Sequence, residues 1–554
     1  MSLPQPSAPP VDKPSDQFAQ HASGRSEPLR WTARPLLGPL TLETLAGLGF
    51  AVACVAVAAV GVYRGFRVYP DWMHWQEETE AVLAQGRIPD NTAMYGYLPG
   101  AFFLLMPFAA RPVCPEAVGV PLFVLSNLAC IALAGWAVGR HWIGRAATGW
   151  NRLALLAMVI IPVSILDPLW ANQLSLWVLG PFVAGVALVR SGRGRAREFW
   201  GGFLIGIACI VKPIPGVLLI FAGLRRHWRA VGGAVAAGVL LDLLPAVLFF
   251  GFGPNPRPEL AELNPVARGV VRTVQEHLVW LERTGRHGAY WYIEQPMYYR
   301  RSQAMPSILS RWLRGTPDAD VYLEVRDPDV THEAGKPVLT EPAKAELRKR
   351  QGELAAEGQR VATFEAPGPP LGQTREHKPY LTEVDLDDIP RIHVAELSAE
   401  TVRLIHKLFS LAVVAALVWM SWGPGRGLSD DRWYAEAAVW CLSMFWLTPY
   451  LTHNYFVWAY PAVAVLCWLA CDDAPGFARL GFTRRGIALA ALAVWFAGQV
   501  GRAWMPLQFY GINQFGTFAL AAGLLAVMPP RPPRYDGATE TERGAPADAP
   551  AGPR

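Results

Sequence analysis

Charge is scarce in this chain, and the scarcity decides its class. Asp, Glu, Lys and Arg make up 17% of the 554 residues, against about 25% in soluble domains. A soluble core would need short amphipathic segments. The apolar residues run instead in blocks near the roughly 20 residues that cross a bilayer. Cysteine is sparse too. The seven cysteines (54, 114, 130, 209, 441, 467, 471) show no metal-ligand spacing and no disulfide framework. Most lie inside apolar blocks, where Cys packs as a small hydrophobe. The His and Glu residues have no zinc spacing either, so the ligand pattern supplies no metal site. No internal repeat is visible. The first 38 residues are rich in Pro and Ser and carry no early apolar run; they read as a disordered tail rather than a signal peptide. Basic residues gather at the ends of apolar blocks, not on one face, which argues against a nucleic-acid partner.

What is abundant is apolar and aromatic: 52% hydrophobic residues, with 22 Trp and 24 Phe. Apolar blocks fall at about 40–62, 117–138, 153–170, 172–189, 231–252, 403–421, 434–450, 454–470, 486–501 and 512–529. The charges are unevenly divided. Residues 254–402 carry 19 basic and 23 acidic residues, net −4, which leaves +9 on the rest of a chain of net +5. Basic surplus belongs to cytoplasmic loops. The insertion is therefore expected outside, with both tails inside. Keeping every basic cluster inside has two consequences. Leu98–Ala110 is too short to cross and becomes a half-inserted helix in the outer leaflet. Gly201–Leu224, broken by Lys212-Pro213-Ile214-Pro215, goes out and returns as a hairpin with Lys212 at its outer tip. The alternative is one kinked helix with Arg225–Arg229 outside.

The fold class expected is an all-α polytopic membrane protein of about 12 spans and one half-span, multi-pass in the plasma (inner) membrane. The divisions are a tail at 1–38, an N-terminal membrane domain at 39–253 with its first outer loop at 63–97, and interfacial amphipathic helices at 254–317. An extracytoplasmic α/β insertion at 318–399, C-terminal membrane helices at 400–530 and a tail at 531–554 complete the chain. In the insertion "VYLEV" and "RIHVAEL" read as strands and "EPAKAELRKRQGELAAEGQ" as a helix.

The first outer loop carries the strongest chemical signal. Asp71 stands among Tyr69, Trp72, His74 and Trp75, and Glu78 follows on roughly the same helical face. A carboxylate among aromatics at the membrane surface suits a general base held over a sugar ring. The competing reading is an N-cap for the helix that starts at Trp72. Lys212 at the broken helix suits a phosphate; its competing reading is a side chain snorkelling to the interface. Asp167, Asn172 and Gln173, and likewise His453 and Asn454, are either site residues or polar turns between spans.

The pattern Asp71, Gly86, Tyr95, Tyr97, Pro99, Pro107 resembles the first outer loop of glycosyltransferase family 87. Four further segments resemble that family in order: "ANQLSL" with Gln173, "KPIPGVLLIFAGLRRHWRA" with Lys212, "SQAMPSILSRWL" with Gln303 and Arg311, and "LTPYLTHNYFVW". Asn172, Ser302 and Ala304 depart from the family pattern, and the spacing from Pro449 to His453 is shifted. The resemblance covers about 40–530 but not 318–399. It implies a GT-C fold and an inverting transfer of a hexose, by default mannose. The donor would be a polyprenyl-phosphate sugar and the acceptor a lipid or glycan, outside the cytoplasm. It implies that Asp71 is the catalytic base. Lys212, Arg301 and Arg311 would hold the donor phosphate, and His74, Glu78, Tyr97, Gln173, Gln303, His453 and Asn454 would line the substrate site. No cofactor is required; a divalent metal stays open. Two rival classes remain at this stage, a lipid or solute transporter built on the broken helix at Lys212-Pro213 and a scaffold that displays the insertion.

Overall fold

In a computed structural model, the described residues are 35–37, 40–41, 70–86, 97–142, 173–191, 194–255, 257–283, 304–314, 319–327, 331–333, 336–367, 380–385, 394–423, 425, 428–448, 451, 453–471, 481–501 and 511–529, with isolated residues near 52–63. The blocks at 40–62 and 153–170, and both tails, fall largely outside them.

A short ribbon pairs β1 (Pro35–Leu37) with β2 (Leu40–Thr41). Apolar blocks become helices, and prolines mark several starts, where the missing N–H costs nothing. These are α1 (Pro70–Gln85), α2 (Pro99–Ala109) and α3 (Glu116–Ala137), which runs on through a π turn to Trp142. Next come α4 (Ser175–Ser191), α5 (Arg195–Val211), α6 (Gly216–Leu224) and α7 (Trp228–Gly238). A π turn at Val239–Leu243 joins α7 to α8 (Leu244–Phe252). Then follow α9 (Pro265–Arg283) and α10 (Met305–Leu313). After the insertion come α12 (Ala399–Ser421) and α13 (Asp430–Leu447), each capped by a serine hydroxyl, Ser398 or Ser429. A 3-10 turn (His453–Ala459) leads into α14 (Tyr460–Cys471), then α15 (Gly481–Gly501) and α16 (Ile512–Val527).

Helices α4, α13 and α14 form the centre, with nearly every described side chain buried. Around them, Leu122, Leu125, Leu240, Leu248, Leu411 and Trp419 face outward. Among the described residues, three helices are long and apolar enough to cross a membrane: Glu116–Trp142, Trp228–Phe252 and Ala399–Ser421. Five shorter apolar helices accompany them. The expected count of about 12 spans is not supplied by these helices and rests on the charge pattern.

Two ends of the bundle differ in chemistry. At one, the Arg190 guanidinium donates to Asp430 (2.8 Å) and to the Gly425 carbonyl (3.1 Å). Beside it a buried triad forms, in which Arg225 and Arg432 both donate to Glu436. His227 lies 3.5 Å from Glu198, in the first turn of α5. So α6 has carried the chain back to the level at which α5 began, and the hairpin expected from the charge pattern is the observed path. After the reversal α7 packs closely along α5 through glycine: a Cβ on Gly202 or Gly233 would overlap the backbone of Ala230 or Phe199. Lys212 therefore stands at the end opposite the arginines.

The insertion is α/β. The central strand β3 (Val321–Asp327) pairs in parallel with β6 (Val361–Pro367) after the crossover helix α11 (Glu341–Ala356), and antiparallel with β7 (Tyr380–Asp385). β4 (Thr331–Glu333) and β5 (Lys336–Val338) make a separate hairpin. Val321, Leu323, Val325, Leu339, Ala343, Leu347 and Leu354 form its own core. The strand read into "RIHVAEL" is not formed over residues 394–397. Val394 and Leu397 donate instead to the carbonyls of Trp312 and Leu313 (2.8 and 2.7 Å), tying the exit of the insertion to α10. The third strand is β7, in a segment for which no element is expected.

Candidate active site

The break between α5 and α6 follows from its two prolines. The last helical bond is Lys212 N–H to the Ala208 carbonyl, 2.9 Å, and Pro213 cannot extend the ladder. This leaves Lys212 extended, at φ −145° and ψ 130°, with its side chain turned into the protein and buried. Its ammonium lies 4.5 Å from the centroid of the Tyr97 ring and 3.8 Å from that of Tyr455. It also donates to the Tyr455 hydroxyl. Among the described residues no carboxylate pairs with it. A buried ammonium held by two aromatic faces keeps a strong demand for an anion. Snorkelling to the surface, the competing reading, does not describe this side chain.

An aromatic shell fixes the two tyrosines. Trp75 of α1 packs edge-on against Tyr97 at 5.1 Å. Tyr455 stacks on Trp458 at 4.9 Å, and the Trp458 indole donates to the Ser175 carbonyl, 2.9 Å. Gln173, half-buried, stands two residues before Ser175 and so lies near the same region. Glu78, one turn from Trp75 on α1, is buried. Three segments far apart in sequence thus converge on Lys212.

Asp71 and His74 lie on α1; their side chains fall outside the description. The helix starts at Pro70, so Asp71 belongs to its first turn and not to the cap position. His453 and Asn454 open the 3-10 turn that delivers Tyr455, and their side chains too fall outside the description. Arg301 and Gln303, with Asp167 and Asn172, lie outside the described residues. Arg311 is buried on α10, which packs on α12 and α13. Burial lowers its guanidinium to about 10, still charged at neutral pH. The structure thus brings Tyr97, Lys212, Glu78 and Gln173 toward one end and adds Tyr455, which sequence reasoning passed over, and Trp75, which it named only as a neighbour of Asp71. Tyr455 follows His453 and Asn454 in the same quoted element. Its signal was an aromatic hydroxyl beside a polar turn, which the more polar neighbours outweighed. Among the described residues no cluster of His, Cys, Asp or Glu is arranged to hold a metal.

The profile of glycosyltransferase family 87 matches residues 95–276. Two relatives, each named alpha-(1->3)-arabinofuranosyltransferase, come from Mycobacterium tuberculosis strains CDC 1551 / Oshkosh and ATCC 25618 / H37Rv. Each is 29% identical over 155 residues, 28% of this chain and 35% of the relative. The match therefore spans about a third of the relatives' length. No solved structure matches significantly. The resemblance read from the sequence holds over residues 95–276, the stretch that carries Tyr97 and Lys212 and that matches glycosyltransferase family 87.

Proposed function

We propose that the protein is a membrane glycosyltransferase that takes a sugar from a polyprenyl-phosphate donor and adds it, with inversion, to a lipid or glycan acceptor outside the cytoplasm. The observation that carries the proposal is Lys212: a buried cation between two tyrosine rings, at the bundle end away from the arginine cluster, without a carboxylate partner among the described residues. A lipid-linked phosphate meets that demand. Its chain can lie against the apolar exterior while the phosphate reaches the ammonium. The charge is worth most on the leaving group, where negative charge accumulates as the glycosidic C–O bond breaks.

Asp71 supplies the other half of the reaction. Its carboxylate accepts the proton of an acceptor hydroxyl as that oxygen attacks the anomeric carbon from the face opposite the phosphate. The resemblance of the first outer loop to family 87 supports this role, although the family match itself begins at residue 95, and so does its place in the first turn of α1, four residues before the Trp75 that contacts Tyr97. Glu78, Gln173, Tyr455 and Arg311 are proposed to orient the two substrates. Mannose is what the resemblance implies, whereas the two relatives are named for arabinofuranosyl transfer. The assay therefore offers both sugars on the same lipid phosphate to purified protein in lipid nanodiscs, with membrane lipid extract as acceptor. Transfer of either sugar, with inverted stereochemistry at the new bond, is the expected result. Movement of the intact donor between leaflets without transfer would identify a transporter instead.

A further inference from the structure

We propose that Arg272 is a positioning residue for the transfer: it locks the end of α1, and so the helix that carries Asp71, onto α8 and α9. This rests on the function proposed above and assigns a part of its machinery outside the substrate-contacting set.

Arg272 lies on the inner face of α9 and has no exposure to solvent. Its guanidinium donates to the carbonyl of Gly86, to that of Pro254 at 3.0 Å and to that of Phe250 at 3.4 Å. It also lies 4.8 Å from the Phe250 ring centroid. One side chain therefore gathers three chain segments: the last residue of the α1 cap, the exit of α8, and α9 itself. Gly86 is the C-terminal cap of α1. Its φ is +63°, and its N–H bonds to the Val82 carbonyl at 2.9 Å, the arrangement of a left-handed cap. A Cβ at Gly86 would overlap the Pro254 carbonyl. The glycine is thus required twice, for its backbone angle and for the close approach. The cation sits where the helix dipole leaves negative charge and where the chain leaves unsatisfied carbonyls.

Packing alone does not call for an arginine here. An aliphatic side chain would fill the space without the cost of desolvating a charge. What only the guanidinium provides is a rigid fork that fixes several acceptors relative to one another. A second tie on the same helix points the same way. His277 of α9 bonds Asp242 of the π turn at 3.0 Å, and that carboxylate lies directly against Gly100, at the start of α2. So α9 holds the chain at Gly86 and, through Asp242, reaches Gly100, three residues after Tyr97, the residue that covers Lys212.

The test combines a distance and a rate in the full-length protein. Spin labels at Ala84 on α1 and Val274 on α9 report the junction directly, and transfer is measured with the donor that the wild type accepts. In Arg272→Gln the distance distribution broadens and kcat falls on the order of tenfold to a hundredfold, the cost of small misplacements in an attacking geometry. Donor KM stays within about twofold, because the phosphate is held elsewhere. Arg272→Lys, with its charge but no fork, is intermediate. Arg111→Ala, which removes an exposed pair with Glu80 on the same helix, leaves both readouts unchanged. If Arg272→Gln fails to fold, Arg272→Lys decides: lower kcat at unchanged KM supports the proposal, and wild-type kcat overturns it. An unchanged distance distribution, or a kcat loss matched by an equal change in donor KM, also overturns it. If the wild type transfers no sugar, the functional reading fails, and the distance measurement alone decides the clamp.

Discussion

At the scale of single residues, the proposed site divides into a group that handles a proton and a group that handles a charge, and the two should respond differently to substitution. Asp71→Asn keeps size and cannot accept the proton. It is expected to lower kcat by about 10²–10⁴-fold with donor affinity intact. Lys212→Met keeps the bulk between the rings of Tyr97 and Tyr455 and removes the charge. Losing one hydrogen bond to a charged group costs about 1.5–3 kcal/mol, so donor binding weakens roughly tenfold to a hundredfold and turnover slows with it. Equilibrium binding of the lipid phosphate alone, without sugar, separates the pair: Asp71→Asn binds it like the wild type and Lys212→Met does not. Equal loss of affinity in both variants would contradict the division. The contrast also shows what the sequence can reveal about such a site. A lysine before a Pro-x-Pro break in an apolar run is conspicuous in sequence, because membrane depth makes a cation costly. Tyr455 and Trp75 are not, since aromatics are abundant here and only the fold selects the few that meet. Arg272 was equally silent, one arginine among several on a surface-like amphipathic helix.

Among elements, the hairpin of α5 and α6 and the strap helix α9 set the geometry. The hairpin was legible because two independent signals agree, the Pro-x-Pro break and the arginines that follow α6. The close packing of α5 on α7 was not, because glycine in an apolar run is common and its partner lies on another helix. Gly202→Val is expected to cost about 1–3 kcal/mol by overpacking, since the added carbon would overlap Ala230 backbone. A lowered melting temperature checks this; no change would mean that α5 and α7 are not in contact there. The strap carries a pH response. His277 bonds the Thr273 carbonyl through Nδ1 (2.8 Å) and Asp242 through Nε2 (3.0 Å), and both partners are acceptors when Asp242 is ionised, so the ring is most favoured doubly protonated. Burial opposes the charge, but the bond and charge of Asp242 outweigh it and hold His277 above its ordinary value. A raised folded value favours the native state most below the unfolded imidazole value of about 6.5. That contribution fades as pH rises through the folded value. The stability gap between wild type and His277→Gln should therefore be widest in acid and narrow above neutrality. A gap that widened with pH would reverse the assignment. The α/β insertion shows the limit of reading short strands: "VYLEV" alternates and forms β3, while "RIHVAEL" alternates as well, yet its Val394 and Leu397 donate to α10 instead.

Across the whole molecule, the charge pattern and the fold make one joint claim about sidedness. The arginines at 190, 225 and 432 gather at one end of the bundle, around the carboxylates of Asp430 and Glu436. Helix α12 spans between the ends: its start follows Leu397, bonded to Leu313, and its last turn presents the Met420 carbonyl to Arg225. Both stems of the insertion therefore emerge at the end that holds Lys212, and a net −4 segment sits opposite the basic one. The positive-inside bias predicts that Lys212, α9 and the insertion lie outside. Single cysteines at Arg226 and Ala366 test this in intact cells with a membrane-impermeant thiol reagent. The expected outcome is labelling at Ala366 without permeabilisation and at Arg226 only after it. The opposite pattern would put the Lys212 end in the cytoplasm, where the donor phosphate and acceptor would have to be cytoplasmic as well. Labelling of both sites in intact cells would mean that the two ends do not lie across a membrane, and the bundle would lose its reason for an apolar exterior.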